Sequence, residues 1–155
     1  MHLLRIDQSG DLYQDGEAVD LGLSPARFVI LSAADTDLML LASAVDQSGR
    51  GDDAVRLANI LTLSHPYSID LLVDQTLRAS RLMVVRLLGG ISYWSYGVER
   101  LAALARQEGI DLALLPGDGK PDPELERLST LDPGRLNTLN AYLVAGGMDL
   151  SLIHI

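Results

Sequence analysis

From Phe28 onward the chain switches repeatedly between short apolar runs and helical stripes. Phe28-Val29-Ile30-Leu31 is a continuous apolar run, as expected of a strand covered on both faces. Asp35 or Thr36 then supplies a helix cap, and Leu38, Leu41, Ala42 and Val45 share one face of that helix. Polar residues 47–53 end it. A second strand is predicted over 56–63. After His65-Pro66, with Ser68 as the cap, Ile69, Leu72, Val73, Thr76 and Leu77 trace another helical stripe. The next strand, 82–87, runs into Gly89-Gly90. Trp94, Val98, Leu101, Ala102 and Ala105 line the helix that comes next, and Gly109 stops it. A fourth strand over 111–115, a loop over 116–123 and two helices near 123–129 and 134–145 complete the pattern. Upstream, residues 2–6 read as a short strand, Asp15-Gly16 as a turn and 19–21 as a returning extended segment.

This β-α-β-α-β-α-β-α alternation predicts a single α/β domain over 1–149. Its parallel sheet would carry helices on both faces, flavodoxin-like or Rossmann-like in kind. Ligands of such sheets meet the carboxyl ends of the strands. That rule selects four loops, at residues 32–36, 64–70, 86–94 and 116–122.

A chain of 155 residues suffices for one such domain. Its net charge of -9 argues against a nucleic-acid partner, because phosphate binding needs clustered Lys and Arg. Without cysteine there is neither a disulfide framework nor a thiolate metal site. The opening Met1-His2-Leu3-Leu4-Arg5-Ile6-Asp7 is charged too early for a secretory signal. The most apolar stretch, 82–98, is broken by Arg86 and Gly89-Gly90, whereas a bilayer span needs about 20 apolar residues. The expectation is a cytoplasmic protein with no membrane contact.

The last six residues, Leu150-Ser151-Leu152-Ile153-His154-Ile155, do not continue this pattern. They coincide with the translation of CTGTCTCTTATACACATC, a transposase end sequence used in library preparation. Residues 150–155 are therefore expected to be adapter read-through and are set aside from fold reasoning, His154 with them.

Several chemistries fail on spacing. Gly49-Arg50-Gly51-Asp52-Asp53-Ala54 has the glycine spacing of a dinucleotide loop, but it comes after a helix and before a strand, the reverse of what that loop needs. Gly119-Lys120 lacks the upstream glycine of a P-loop and is succeeded by Pro121 rather than Ser or Thr. A phosphoacceptor receiver would need an Asp after the central strand, where Arg86 stands.

What remains is an edge. Arg86 interrupts an apolar strand, and burying its charge unpaired would cost several kcal/mol. It must pair with a carboxylate such as Asp35, Asp70 or Asp118, or else anchor a ligand carboxylate or a partner's acidic residue. Gly89-Gly90 permits a low-bulk exit from the strand. Tyr93, Trp94 and Tyr96 come directly after, three of the six Tyr and Trp side chains in the chain. Such aromatics suit partly wet pockets and interfaces, although Trp94 could equally pack the helix onto the sheet. His65, held extended by Pro66, reads as a loop or capping residue more readily than as a ligand. Three histidines make no convincing metal cage. The candidate site is thus Arg86, Gly89, Gly90, Tyr93 and Trp94, with His65 and Asp118 on neighbouring loops, and no catalytic or metal-ligating residue among them.

Arg86-Leu87-Leu88-Gly89-Gly90-Ile91-Ser92-Tyr93-Trp94-Ser95-Tyr96-Gly97-Val98 closely resembles the large subunit of aerobic cobaltochelatase, the CobN family. Three further segments agree in the same order. They are Val19-Asp20-Leu21-Gly22 with Ser24-Pro25, Leu63-Ser64-His65-Pro66 with Ser68-Ile69-Asp70-Leu71, and Leu114-Leu115-Pro116-Gly117-Asp118 with Pro121-Asp122-Pro123. The likeness covers 1–149 and corresponds to the extreme N-terminal region of that family; the magnesium chelatase large subunit is a more distant match.

The resemblance implies a ligase-type metal chelatase of cobalamin biosynthesis, which inserts Co²⁺ into the tetrapyrrole hydrogenobyrinic acid a,c-diamide. ATP would be hydrolysed on separate AAA+ partner subunits, in keeping with the missing P-loop. Chelation needs a large cavity, groups for ring carboxylates and amides, a base for pyrrole N–H protons and a path for the ion. One small domain cannot supply all of these. The fragment alone is therefore expected to bind no cofactor and to be inactive, the chemistry lying in the remainder of the large subunit. Its edge would either hold the tetrapyrrole, with Arg86 on a peripheral carboxylate and Tyr93 and Trp94 against the macrocycle, or pack on later domains and partner subunits. Outside the family, the alternative is a free-standing small-ligand-binding or protein-interaction α/β domain.

Overall fold

In the computed structural model, which describes residues 18–48, 54–118 and 120–144, the four apolar runs lie side by side as parallel strands. They are β1 (Phe28–Ser32), β2 (Val55–Asn59), β3 (Leu82–Leu87) and β4 (Asp111–Pro116), in the spatial order β2-β1-β3-β4. That order matches the first four strands of the flavodoxin-like arrangement. The helices are α1 (Asp35–Ser48), α2 (Pro66–Gln75), α3 (Ser95–Glu108), α4 (Pro123–Leu128) and α5 (Pro133–Val144).

Side chains alternate across the pleat, so each strand feeds two cores. Val29, Leu31, Met83, Val85, Leu112 and Leu114 meet α2 and α3 on one face. Phe28, Ile30, Leu82, Val84, Ala113 and Leu115 meet Leu41 of α1 and Leu136, Leu139 and Leu143 of α5 on the other. The sheet is therefore covered on both faces, and this is why β1 reads as an unbroken apolar run, while β2 and β3 each carry one arginine, Arg56 and Arg86.

Local chemistry moves several boundaries. The apolar run after Asn59 is not strand: Ile60–Leu63 form a 3-10 turn. The Asn59 side chain accepts from the Leu61 N–H at 2.8 Å, and the Thr62 hydroxyl donates to the Asn59 carbonyl at 2.7 Å, which together bend the chain off the sheet. The cap of α2 is His65, whose Nδ1 accepts from the Tyr67 N–H at 3.1 Å. Ser68 is buried instead, accepting from the Val19 N–H at 2.6 Å. Residues 19–21 accordingly lie against α2 without forming a strand. Asp35 begins α1 rather than capping it, and Ala42 is exposed, so the buried stripe of α1 is narrower than its sequence suggests. The expected strand at 2–6, the Asp15-Gly16 turn and the tail at 150–155 lie outside the described residues.

Trp94 ends a 3-10 turn (Ile91–Trp94) that leads into α3, and α3 stops at Gly109 in the left-handed conformation (φ 67°). The Trp94 ring is fully buried, and its Nε1–H donates to the Leu63 carbonyl at 3.1 Å. This bond ties the turn after β2 to the start of α3. Gly97 lies under the indole, so a methyl group there would collide with the ring. Gly97→Ala should destabilise the fold by about 1–3 kcal/mol, an overpacking effect read from the urea midpoint at unchanged m-value.

Candidate functional site: the carboxyl edge of the sheet

The strand order reverses between β1 and β3, the place where open α/β sheets form their crevice. Arg86 is paired in register with Ser32 across that gap and lies on the α1/α5 side of the sheet. Its Nη1 donates to Asp37 Oδ2 at 2.6 Å, and the Ser32 hydroxyl donates to the same oxygen at 2.9 Å. Its Nη2 reaches the Gly117 carbonyl at 3.3 Å. The two side chains are only 14% and 12% exposed, and Arg86 Nε is buried without a hydrogen-bond partner among the described residues. The partner of Arg86 is thus Asp37, not Asp35, Asp70 or Asp118. Asp35 instead accepts from Asn59 Nδ2 at 2.8 Å. Asp118 is exposed, and its Oδ1 accepts from the Lys120 N–H at 3.0 Å.

After Arg86, Leu87 is buried and Leu88 stands 55% exposed. Gly89 is exposed, and Gly90 has φ 71°, which an L side chain rarely adopts. Tyr93 folds back beside Gly89 and is half-buried. The candidate residues therefore share one edge but divide by role. Arg86 bridges β3, α1 and the loop after β4. Trp94 packs and His65 caps. Leu88, Gly89, Tyr93 and Asp118 form the accessible rim. A buried Trp94 offers no ring face to a macrocycle, which removes the stacking role expected of it.

A shallow cavity of about 180 Å³ lies beyond this rim, with Leu115, Lys120, Asp122, Asn137 and Asn140 among its lining residues. Among the described residues no group of three or more His, Cys, Asp or Glu could hold a metal ion, and no helix is long and apolar enough to cross a membrane.

A second polar cluster, between α2 and α3, has no signature in the sequence. Asp70 Oδ1 accepts from the Tyr96 hydroxyl at 2.8 Å and from Arg100 Nε at 2.9 Å. Burial pushes the Asp70 carboxyl up, but the bonds from Tyr96 and Arg100 and the Arg100 charge outweigh it, leaving it below its ordinary value. The Tyr96 hydroxyl is pushed up, chiefly by its bond to Asp70. The i, i+4 spacing of Tyr96 and Arg100 marks one helix face, but nothing in the sequence says that Asp70 meets it.

No protein-family model matches the chain. Individual proteins do. Aerobic cobaltochelatase subunit CobN of a Sinorhizobium species is 45% identical over 151 residues, which is 96% of this chain and 12% of that protein. The subunit of the same name from Pseudomonas aeruginosa is 42% identical over 149 residues, with the same two coverages. Over nearly its whole length the chain is similar to CobN subunits. It spans 12% of the length of the curated relatives it matches. The catalytic subunit of cobaltochelatase from Mycobacterium tuberculosis superposes on 78% of the segment, and 9% of its own chain, with a TM-score of 0.58 and 27% identity. The fold of this segment is thus shared with a solved cobaltochelatase subunit.

The polar contacts of the segment can be tested in two ways. Asp37→Ala should cost roughly 2 kcal/mol, somewhat under the figure for a fully buried pair, by leaving the guanidinium without its counter-charge. Adding Arg86→Met should restore part of that loss, so a double-mutant cycle read by chemical denaturation should be strongly non-additive. The lowered Asp70 value means that its stabilising contribution is present above the unfolded carboxylate range near pH 4 and is lost as pH falls through the folded value. Asp70→Asn should therefore flatten the acid limb of the stability–pH curve while leaving the curve's shape between about pH 5 and 8 unchanged.

Proposed function

We propose that this chain is the N-terminal domain of the large subunit of an ATP-dependent cobaltochelatase, and that the domain scaffolds the enzyme without performing its chemistry. The parent enzyme would act in the cytoplasm in aerobic cobalamin biosynthesis, inserting Co²⁺ into hydrogenobyrinic acid a,c-diamide, with AAA+ subunits hydrolysing ATP. Support for the family role comes from 42–45% identity to CobN subunits over 96% of the chain. Support for the scaffold role rests on one observation: the Arg86 charge is already neutralised by Asp37 inside the domain. An anchor for a ligand carboxylate needs a guanidinium with an open bidentate face, and this one spends its Nη groups on Asp37 and Gly117. Arg86 then fixes the loops after β1, β3 and β4 relative to one another.

A second reading keeps the rim in contact with the tetrapyrrole. It is favoured by the exposure of Leu88, which packs by Gly117, and by the half-buried Tyr93 against Gly89. The candidates Gly89, Gly90, Tyr93 and Asp118, together with Leu88, would then line the approach to a cavity built by the rest of the subunit.

In a cobalt-insertion assay with ATP and AAA+ chelatase subunits, the 155-residue chain alone should insert no Co²⁺. Pseudomonas aeruginosa CobN carrying residues 1–149 of this chain in place of its own matching segment should insert it. Insertion by the short chain alone would refute the non-catalytic role. In the graft, Tyr93→Ala and Leu88→Asp should leave tetrapyrrole affinity unchanged if the domain only scaffolds, and should weaken it if the rim contacts substrate.

A further inference from the structure

The two edges of the sheet are finished differently. At β4, the bond from the Asp111 N–H to the Arg81 carbonyl (3.0 Å) turns Asp111, Ala113 and Leu115 toward β3 and leaves Leu112, Leu114 and Pro116 facing outward. Every outward N–H there is answered. Leu112 donates to Thr130 Oγ1 at 2.7 Å, Leu114 donates to Ser129 Oγ at 2.9 Å, and Pro116 has no N–H to offer. The Leu112 carbonyl accepts from the Thr130 N–H at 2.8 Å. This edge is closed to further pairing.

At β2, the bond from the Phe28 N–H to the Ala54 carbonyl (3.0 Å) sets the ladder so that Arg56 and Ala58 bond to β1. Val55, Leu57 and Asn59 face outward. The Val55 carbonyl takes Arg56 Nη1 at 3.0 Å, and the Asn59 carbonyl takes the Thr62 hydroxyl at 2.7 Å. Between them the N–H and C=O of Leu57 have no partner among the described residues. Such a pair on an edge strand is a template for another strand.

The roof over this gap is apolar. Asp35 bonds to Asn59 of β2, which turns the Asp35 stripe of α1 toward that strand, and Leu38, Met39 and Ala42 lie on the stripe at i+3, i+4 and i+7. Met39 is 72% exposed and Ala42 is exposed too. No charge stands on the stripe between Asp35 and Asp46, whereas the exposed positions of α3 carry Glu99, Arg106 and Glu108. Half-buried Leu57 completes the apolar wall from below.

We infer that β2 receives an added strand at Leu57, and that the strand comes from the part of a CobN-type subunit outside this segment. The inference rests on the proposed family role. That subunit is the natural occupant because the chain spans only 12% of its relatives' length, so most of such a subunit lies elsewhere. The main chain of the added strand answers Leu57, and an apolar side chain lodges between Leu57 and Met39 to fix the register. The strand carries no acidic residue at that point, since Asp35 and Asp46 bracket the roof and the net charge of the chain is -9.

Amide hydrogen exchange at Leu57 tests this, measured in the 155-residue chain, dilute and concentrated, and in the Pseudomonas aeruginosa CobN graft. The Arg56 and Ala58 amides, held by β1, serve as internal references. The Leu57 amide should exchange freely in the chain alone and slow by roughly a hundredfold in the graft. Met39→Glu with Ala42→Glu, both at exposed positions, should abolish that slowing and leave the Arg56 and Ala58 amides unchanged. Protection already present in the dilute chain would locate the occupant within these 155 residues, and protection appearing only on concentration would make it a second copy. Either result overturns the inference, as does free exchange in the graft. Cobalt insertion by the graft is read separately. An active graft with a free Leu57 amide refutes the docking and leaves the family role standing, while a protected amide in an inactive graft does the reverse.

Discussion

Arg86 stands in a strand whose other residues are all apolar, and its guanidinium can remain there because Asp37 meets it at 2.6 Å with Ser32 bonded to the same oxygen. The three residues come from the ends of two strands and the first turn of α1. Holding them together fixes where the loops after β1, β3 and β4 leave the sheet, since Arg86 also reaches the Gly117 carbonyl. The crevice that an α/β sheet ordinarily offers to a ligand is here spanned by the domain's own ion pair. The rest of the edge leads out from that closure: Leu88 is exposed, Gly90 has a positive φ and Tyr93 folds back against Gly89.

The sheet and most helix boundaries were legible because each strand feeds two cores, and a doubly covered strand is rich in apolar residues, as β1 is from Phe28 to Leu31. The same logic misread residues 60–63, which are equally apolar but belong to a turn whose bending groups, the Asn59 side chain and the Thr62 hydroxyl, are polar and local. The need of Arg86 for a carboxylate was legible; the identity of that carboxylate was not. Asp35 and Asp37 are two residues apart on one helix, and only the seating of α1 on the sheet decides that one meets β2 and the other meets β3. The Asp70 cluster was hidden for the same reason, since it depends on how two helices meet. The block from Arg86 to Val98, which carries the strongest likeness to CobN, proves to be largely a set of packing instructions. Arg86 needs Asp37, Trp94 needs the Leu63 carbonyl, and Gly97 makes room for the indole.

The contrast between the two edge strands bears on how a small α/β unit fits a much longer subunit. A free-standing domain gains from blunting both edges, as Ser129, Thr130 and Pro116 blunt β4. An unpaired Leu57 main chain among the described residues of β2, beneath an uncharged helix face, is tolerable where something else covers it. Scaffolding of the kind proposed is a main-chain matter, set by which N–H groups are left unspent.

Trp94 is the sole tryptophan of the chain, and its ring is fully enclosed where the turn after β2 meets the start of α3. The indole emission of this domain therefore comes from one dry, rigid spot. It reports the seating of α3 and of the turn after β2, and, being buried, it stands apart from the solvent-facing edge of β2. The molecule thus carries an intrinsic optical marker for its own integrity that stays silent about its partners, so folding and docking can be tracked as separate signals in the same sample.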